Sequence, residues 1–170
     1  MNPVRSHSLV VSLASAMVLL FQMSPVMAGG PPRAPRPFEV DFNKCFDREG
    51  DPPYLFTFSG TASGDVSGTL EARVAVFIPG VEPKQSHIQA DYVVTGTGKL
   101  RFTARVGGRV NDATNRAVLR GFVSDGPAWL IGAGVHDEFL NYVRADGTPC
   151  SKGTLYITPR WRQTHNDEND

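Results

Sequence analysis

Residues 87–124 read HIQADYVVTGTGKLRFTARVGGRVNDATNRAVLRGFVS, and this stretch decides the fold class. Apolar and polar residues alternate in it with a period of two, first around Tyr92 and again around Phe102. Because successive side chains of a β-strand point to opposite faces, the alternation predicts antiparallel strands with one apolar face. Segments 96–98 and 111–115, rich in glycine and in Asn and Asp, lie between the runs and are typical of hairpin turns. The stretch therefore predicts three consecutive strands.

Short alternating runs recur on both sides of this stretch, and no amphipathic helix of useful length is present. They begin at Phe38, Tyr54, Leu70, Val135 and Gly153. Segment 128–134 is short, apolar and rich in glycine, and it is interpreted as a buried strand with a bend. Eight or nine short strands with glycine-marked corners predict an all-β protein, a single antiparallel β-barrel of about eight strands, with a β-sandwich as the alternative.

The first 28 residues have the features of a secretory signal peptide. Arg5 and His7 precede an apolar run over residues 9–21, and Ala28 supplies a small residue at the expected cleavage point. We therefore expect an exported protein, periplasmic or secreted, that meets a membrane only during export. A Pro/Gly-rich tether over residues 29–37, the β-barrel domain over 38–161 and a polar tail over 162–170 complete the predicted organisation.

Two cysteines, Cys45 and Cys150, lie near opposite ends of the predicted domain. In an oxidising compartment such a pair normally forms a disulfide, which would place the first strand beside the last hairpin and close the barrel. Two free buried thiols or a metal site are the alternatives, but no histidine lies near either cysteine in sequence, and no metal is predicted. The 17 basic and 17 acidic residues give no charge excess, which argues against nucleic-acid binding.

Aromatic and aliphatic side chains on the apolar strand faces are the candidate ligand-binding residues. The same pattern is produced by a filled core and by a cavity that holds a small ligand, so both interpretations stay open. The candidates are Tyr54, Phe56, Phe58, Tyr92, Leu100 and Phe102.

The best polar cluster is His136-Asp137-Glu138. On a strand, His136 and Glu138 share one face while Asp137 points to the other, so His136 and Glu138 are the candidate catalytic pair and could supply a general base. The alternative is a solvent-facing strand of alternating charge. The sequence lacks a nucleophile elbow, a phosphate-binding glycine loop and a His-Glu-x-x-His motif, and no cofactor is predicted.

The segments GTASGDVSGTL at residues 60–70 and Gly96-Thr97-Gly98 resemble the strand corners of small secreted bacterial barrels, broadly similar to the allene oxide cyclase and dirigent-type barrels. The resemblance implies a barrel with an apolar interior. It carries over no catalytic residue, because no position of this chain matches one.

These observations favour a non-enzymatic exported barrel that binds a small apolar or amphipathic ligand, or a protein partner. Two alternatives remain at this stage. One is a cofactor-free isomerase or cyclase that acts in the barrel cavity, and the other is a structural surface module whose barrel is filled.

Overall fold

A computed structural model describes residues 36–80 and 84–160. These residues form a closed barrel in which each strand pairs antiparallel with the next and the last pairs with the first, so the predicted fold is confirmed. The strands are β1 (Phe38–Glu49), β2 (Phe56–Gly64), β3 (Gly68–Ile78), β4 (Gln85–Gly96), β5 (Arg101–Asn111), β6 (Arg116–Asp125), β7 (Gly134–Val143) and β8 (Pro149–Thr158).

The predicted signal peptide, nearly all of the tether, Trp161 and the polar tail lie outside the described residues. Within residues 36–80 and 84–160, no helix is long and apolar enough to cross a membrane.

The barrel is closed along the seam between β1 and β8. Cys45 stands directly opposite Cys150 in the register of the two strands, and the two residues form the predicted disulfide. Because the bond joins residues 105 positions apart in sequence, it ties the beginning of the barrel to its end.

The two ends of the barrel differ. At the closed end lie the β2–β3 and β4–β5 turns and the β6–β7 loop over residues 126–133. At the open end lie the β1–β2, β3–β4, β5–β6 and β7–β8 connections. The inward side chains near the closed end are mostly aliphatic and pack into a continuous core; they include Val40, Ala62, Leu70, Val94, Ala104, Leu119, Val123, Leu155 and Ile157.

The β6–β7 loop covers the closed end. Segment 128–134 was predicted to be a buried strand, which is wrong: its residues form tight turns, and strand structure begins only at Gly134. The Leu130 amide donates to the Pro127 carbonyl at 2.8 Å, and the Ala133 amide donates to the Leu130 carbonyl at 2.9 Å. Leu130 is completely buried. The apolar run therefore closes the barrel from a loop, without pairing as a strand.

A bulge in β3 changes which side chains face inward near the open end. The register with β4 shifts between Val74 and Val76. A regular period of two would place Val76 and Ile78 on the same face as Val74, but beyond the bulge Phe77 is the residue opposite the inward-facing Ile88. Directly opposed residues of an antiparallel pair share a face, so the bulge turns Phe77 towards the interior.

Candidate functional site

The open half of the barrel is hollow. It contains a cavity of about 370 Å³, open towards the connections at the open end. Its walls come from every strand except β6 and are mainly apolar. They include Phe56, Phe58, Val74, Phe77, Ile88 and Val110. A cavity of this volume falls within the usual range for small-molecule sites.

Lys44 lies at the inner boundary of this cavity. It follows Val40 and Phe42 at every second position of β1, so the strand alternation points its side chain inward. The side chain is only 3% exposed. Its ammonium group donates a hydrogen bond of 2.9 Å to the hydroxyl of Tyr92.

Three aromatic rings surround the Lys44 ammonium. The Nζ atom lies 4.2 Å from the ring centroid of Phe42, 4.5 Å from that of Tyr92 and 4.6 Å from that of Phe139. A cation within about 6 Å of an aromatic face is attracted by the negative face of the ring. The rings therefore offset part of the lost hydration of the buried charge, while they also exclude water from it.

A second buried charged residue, Asp137, accompanies Lys44. It is the inward residue of β7 between Val135 and Phe139, and it is completely buried. Neither of its carboxylate oxygens has a hydrogen-bond partner among the described residues. Buried carboxylates are normally hydrogen-bonded, and groups left without partners concentrate at functional sites.

The electrostatics of the two residues follow from burial and mutual attraction. Burial raises the pKa of Asp137 to about 6, although the nearby Lys44 charge acts to lower it. The Tyr92 hydroxyl, which lies close to the carboxylate but outside hydrogen-bond geometry, acts in the same direction as Lys44. Burial also lowers the pKa of Lys44 to about 8, against the opposing charge of Asp137. Burial and Asp137 together raise the pKa of Tyr92 well above its ordinary value. Between about pH 6 and pH 8 the site therefore holds a carboxylate, a neutral phenol and an ammonium ion.

Of the predicted ligand-binding residues, Phe56, Phe58 and Tyr92 line the cavity. Leu100 and Phe102 belong to the packed closed half, where the Phe102 ring contacts Phe38 at a centroid distance of 6.3 Å. They do not border the cavity.

Tyr54 lies on the outer surface of the barrel. Its hydroxyl donates to Asp91 at 2.8 Å, and Asp91 also accepts two hydrogen bonds from Arg105 on the same outer face. The period-two pattern does not extend to Tyr54 because β2 begins only at Phe56.

The candidate catalytic pair also faces outward. His136 Nε2 lies within hydrogen-bonding distance, 2.8 Å, of Glu138 Oε1 on the outer face of β7, and the two side chains are 34% and 58% exposed. The intervening Asp137 is the β7 carboxylate that enters the barrel. The geometry thus brings together Lys44, Tyr92 and Asp137, and leaves His136 and Glu138 outside this cluster.

No protein-family model matches the chain, and no curated protein matches it in sequence. In the described part of the chain, no group of three or more His, Cys, Asp and Glu side chains is placed to hold a metal ion.

Proposed function

We propose that the protein is an exported carrier or binder of a small, mainly apolar molecule, held in the open half of the barrel. The main support for this proposal is the difference between the two halves of the barrel. The closed half is packed, while the open half encloses a cavity of about 370 Å³ with mainly apolar walls. A barrel that served only as a structural module would need no such space. Export is supported by the N-terminal sequence and is compatible with the Cys45–Cys150 disulfide.

The inner boundary of the cavity defines the chemistry of the ligand. An apolar body would pack against the aromatic and aliphatic walls, and a hydrogen-bond acceptor would face Lys44 and Tyr92. Asp137 already balances the Lys44 charge at neutral pH, so the site favours a neutral acceptor over a second anion. An amphipathic molecule with one polar end fits this arrangement.

Two other functions, an isomerase or cyclase and the binding of a protein partner, are less well supported. An isomerase or cyclase that uses His136 or Glu138 in the cavity would need side chains that in fact face outward. A protein partner would have to use the outer surface, where Val118 and Phe122 are exposed. If a protein partner still bound after the cavity had been blocked by a substitution, this alternative would be favoured.

Fluorescence titration with the neutral apolar fluorophore phenylnaphthylamine tests the proposal. Ala90 is buried and lines the cavity, so Ala90→Phe should obstruct the space and weaken binding at least tenfold, equivalent to about 1.4 kcal/mol. Val118→Phe adds the same ring to the exposed outer face and is the matched control. Circular dichroism checks that both variants are folded. Equal affinities for the two variants would refute binding in the cavity.

A further inference from the structure

We propose that Lys44 captures the ligand covalently, as an imine formed with an aldehyde or ketone carbonyl. This inference rests on the proposed function and narrows its ligand class to small apolar carbonyl compounds. The argument depends on where Lys44 lies, on what surrounds it and on the buried carboxylate close by.

The placement of Lys44 separates it from the other lysines. Lys84, Lys99 and Lys152 are all exposed, whereas Lys44 borders the cavity and has almost no contact with bulk water. An amine that is desolvated among apolar side chains is the usual form of an imine-forming lysine. A carbonyl compound that enters from the open end would meet this amine at the inner boundary of the cavity.

Tyr92 and Asp137 supply the proton transfers that imine formation needs. The Tyr92 hydroxyl already accepts a hydrogen bond from Lys44, and Asp137 is a carboxylate without a hydrogen-bond partner among the described residues. In the proposed transfer, the Tyr92 hydroxyl would form a hydrogen bond to the nearby Asp137 carboxylate and pass to it a proton from the Lys44 ammonium, leaving a neutral amine. The amine nitrogen then attacks the carbonyl carbon, and the carbonyl oxygen takes the proton that the nitrogen loses, which gives a carbinolamine.

Loss of water completes the reaction. Protonated Asp137 returns its proton to the carbinolamine hydroxyl group, the C–O bond breaks, one water molecule leaves, and a carbon–nitrogen double bond forms. The balance is one carbonyl compound and one lysine ammonium giving one protonated imine and one water, with no oxidant or reductant. Asp137 regains its negative charge and stands as the counter-ion of the positive imine. Buried charges persist when they are paired, so the carboxylate has a physical role in the product.

The protonation equilibrium of Lys44 supports the same assignment. With a pKa of about 8, Lys44 carries about 200-fold more neutral amine at pH 7 than a lysine with the ordinary pKa of about 10.4. Part of this advantage is lost because a less basic amine is a weaker nucleophile. We therefore expect a selectivity of at least about tenfold for Lys44.

The test exposes the full-length, disulfide-bonded chain to one equivalent of octanal and cyanoborohydride at pH 7. The hydride reduces the imine to a stable amine, and peptide mass spectrometry locates it. We expect adduct on Lys44 at least tenfold above Lys84, Lys99 and Lys152. An even distribution, or a preference for the exposed lysines, would overturn the inference.

Two substitutions provide the controls. Lys44→Met should abolish the preferred adduct without changing the labelling of the exposed lysines. Lys152→Met removes an outward lysine of β8 and should leave labelling of Lys44 intact. If Lys44→Met retained the same total labelling, the reaction would take place on exposed amines and not in the cavity.

A third variant tests whether the Asp137 charge acts on the protonation of Lys44. Because the Asp137 charge raises the pKa of Lys44, Asp137→Asn should move the pH profile of capture to lower pH, from a midpoint near 8. An unshifted profile would count against proton exchange between the two residues.

Phenylnaphthylamine displacement by octanol, measured without reductant, separates the two proposals. Octanol has the same chain as octanal but no carbonyl group. If octanol competes for the cavity and octanal still gives no Lys44 adduct, covalent capture is overturned and the binding function stands. If neither octanol nor octanal competes, both proposals fail.

Discussion

Replacing Asp137 by asparagine removes a completely buried carboxylate and should change the pH dependence of stability in a defined direction. Asparagine has nearly the shape of the protonated acid but cannot ionise. Any difference that develops between the variant and the unmodified protein as pH rises therefore reports the ionisation of Asp137 and its effect on the neighbouring Lys44.

The sign follows from proton linkage. The pKa of Asp137 is about 6 in the folded protein and 3.8 for the ordinary group. Between these values the folded state binds more protons than the unfolded state, so the free energy of unfolding falls as pH rises through that range. The difference of about two pH units, at about 1.4 kcal/mol each, gives about 3 kcal/mol.

The free energy of unfolding of Asp137→Asn does not fall in this way as pH rises, because asparagine cannot ionise. Its free energy of unfolding, relative to that of the unmodified protein, should therefore rise by about 2 kcal/mol between pH 4 and pH 7, because part of the full difference lies below pH 4. Lys44 acts in the same direction: without the Asp137 charge its pKa falls further, and it loses its buried charge more readily near neutral pH. Effects of residues that titrate equally in both proteins cancel.

Urea denaturation, followed by tryptophan fluorescence at pH 4, 5, 6 and 7, measures this difference. Asp51→Asn, in the exposed β1–β2 connection, is the control and should stay within about 0.5 kcal/mol of the unmodified protein at each pH. A difference between Asp137→Asn and the unmodified protein that is constant from pH 4 to pH 7 would refute the reasoning. A difference in the free energy of unfolding that falls as pH rises would also refute it.

Three further predictions concern the frame around the cavity, each measured as a free energy of unfolding in urea. Replacing both Cys45 and Cys150 by alanine should cost about 4 kcal/mol, because the bond closes a loop of 105 positions; an unchanged midpoint would contradict this. Leu130→Ala should cost about 2–5 kcal/mol, since the side chain is completely buried, whereas Ile131→Ala, 44% exposed, should cost much less; similar values would show that the loop does not close the barrel. Gly121→Ala should cost about 1–3 kcal/mol because its Cβ would collide with a backbone carbonyl of the neighbouring strand, and a neutral effect would contradict that packing.

The barrel could be predicted because its determinants are local. Period-two alternation, with turn residues between the runs, specifies both the strands and their inward faces. Closure followed from Cys45 and Cys150, whose positions near the two ends of the domain require the first and last strands to meet. The β3 bulge was not predictable, since residues 74–78 are all apolar and carry no signal for the shift in register with β4.

The role of segment 128–134 was missed for a related reason. A short apolar run with glycines has the same composition whether it forms a buried strand or a loop that packs into the barrel. The difference depends on tertiary contacts: Leu130 enters the core at the closed end, and turn hydrogen bonds satisfy the local backbone.

The candidate site was predicted only in part. Strand alternation correctly placed Asp137 on the opposite face from His136 and Glu138. The predicted catalytic residues were the two that share a face, and the lone inward carboxylate was not among them. Lys44 has the same signature, a charged residue at an inward position after Val40 and Phe42. A charge on an otherwise apolar face was the available signal. The proximity of Lys44 to Asp137 depends on barrel closure and cannot be predicted from the sequence of either strand alone.

The most direct test of the central claim is a crystal structure of the full-length chain with a bromine-labelled octanol, in which anomalous scattering locates the bromine. We predict bromine in the open half of the barrel and the alcohol oxygen facing Lys44 and Tyr92. Bromine bound only on the outer surface, or an open half filled by side chains, would contradict the account.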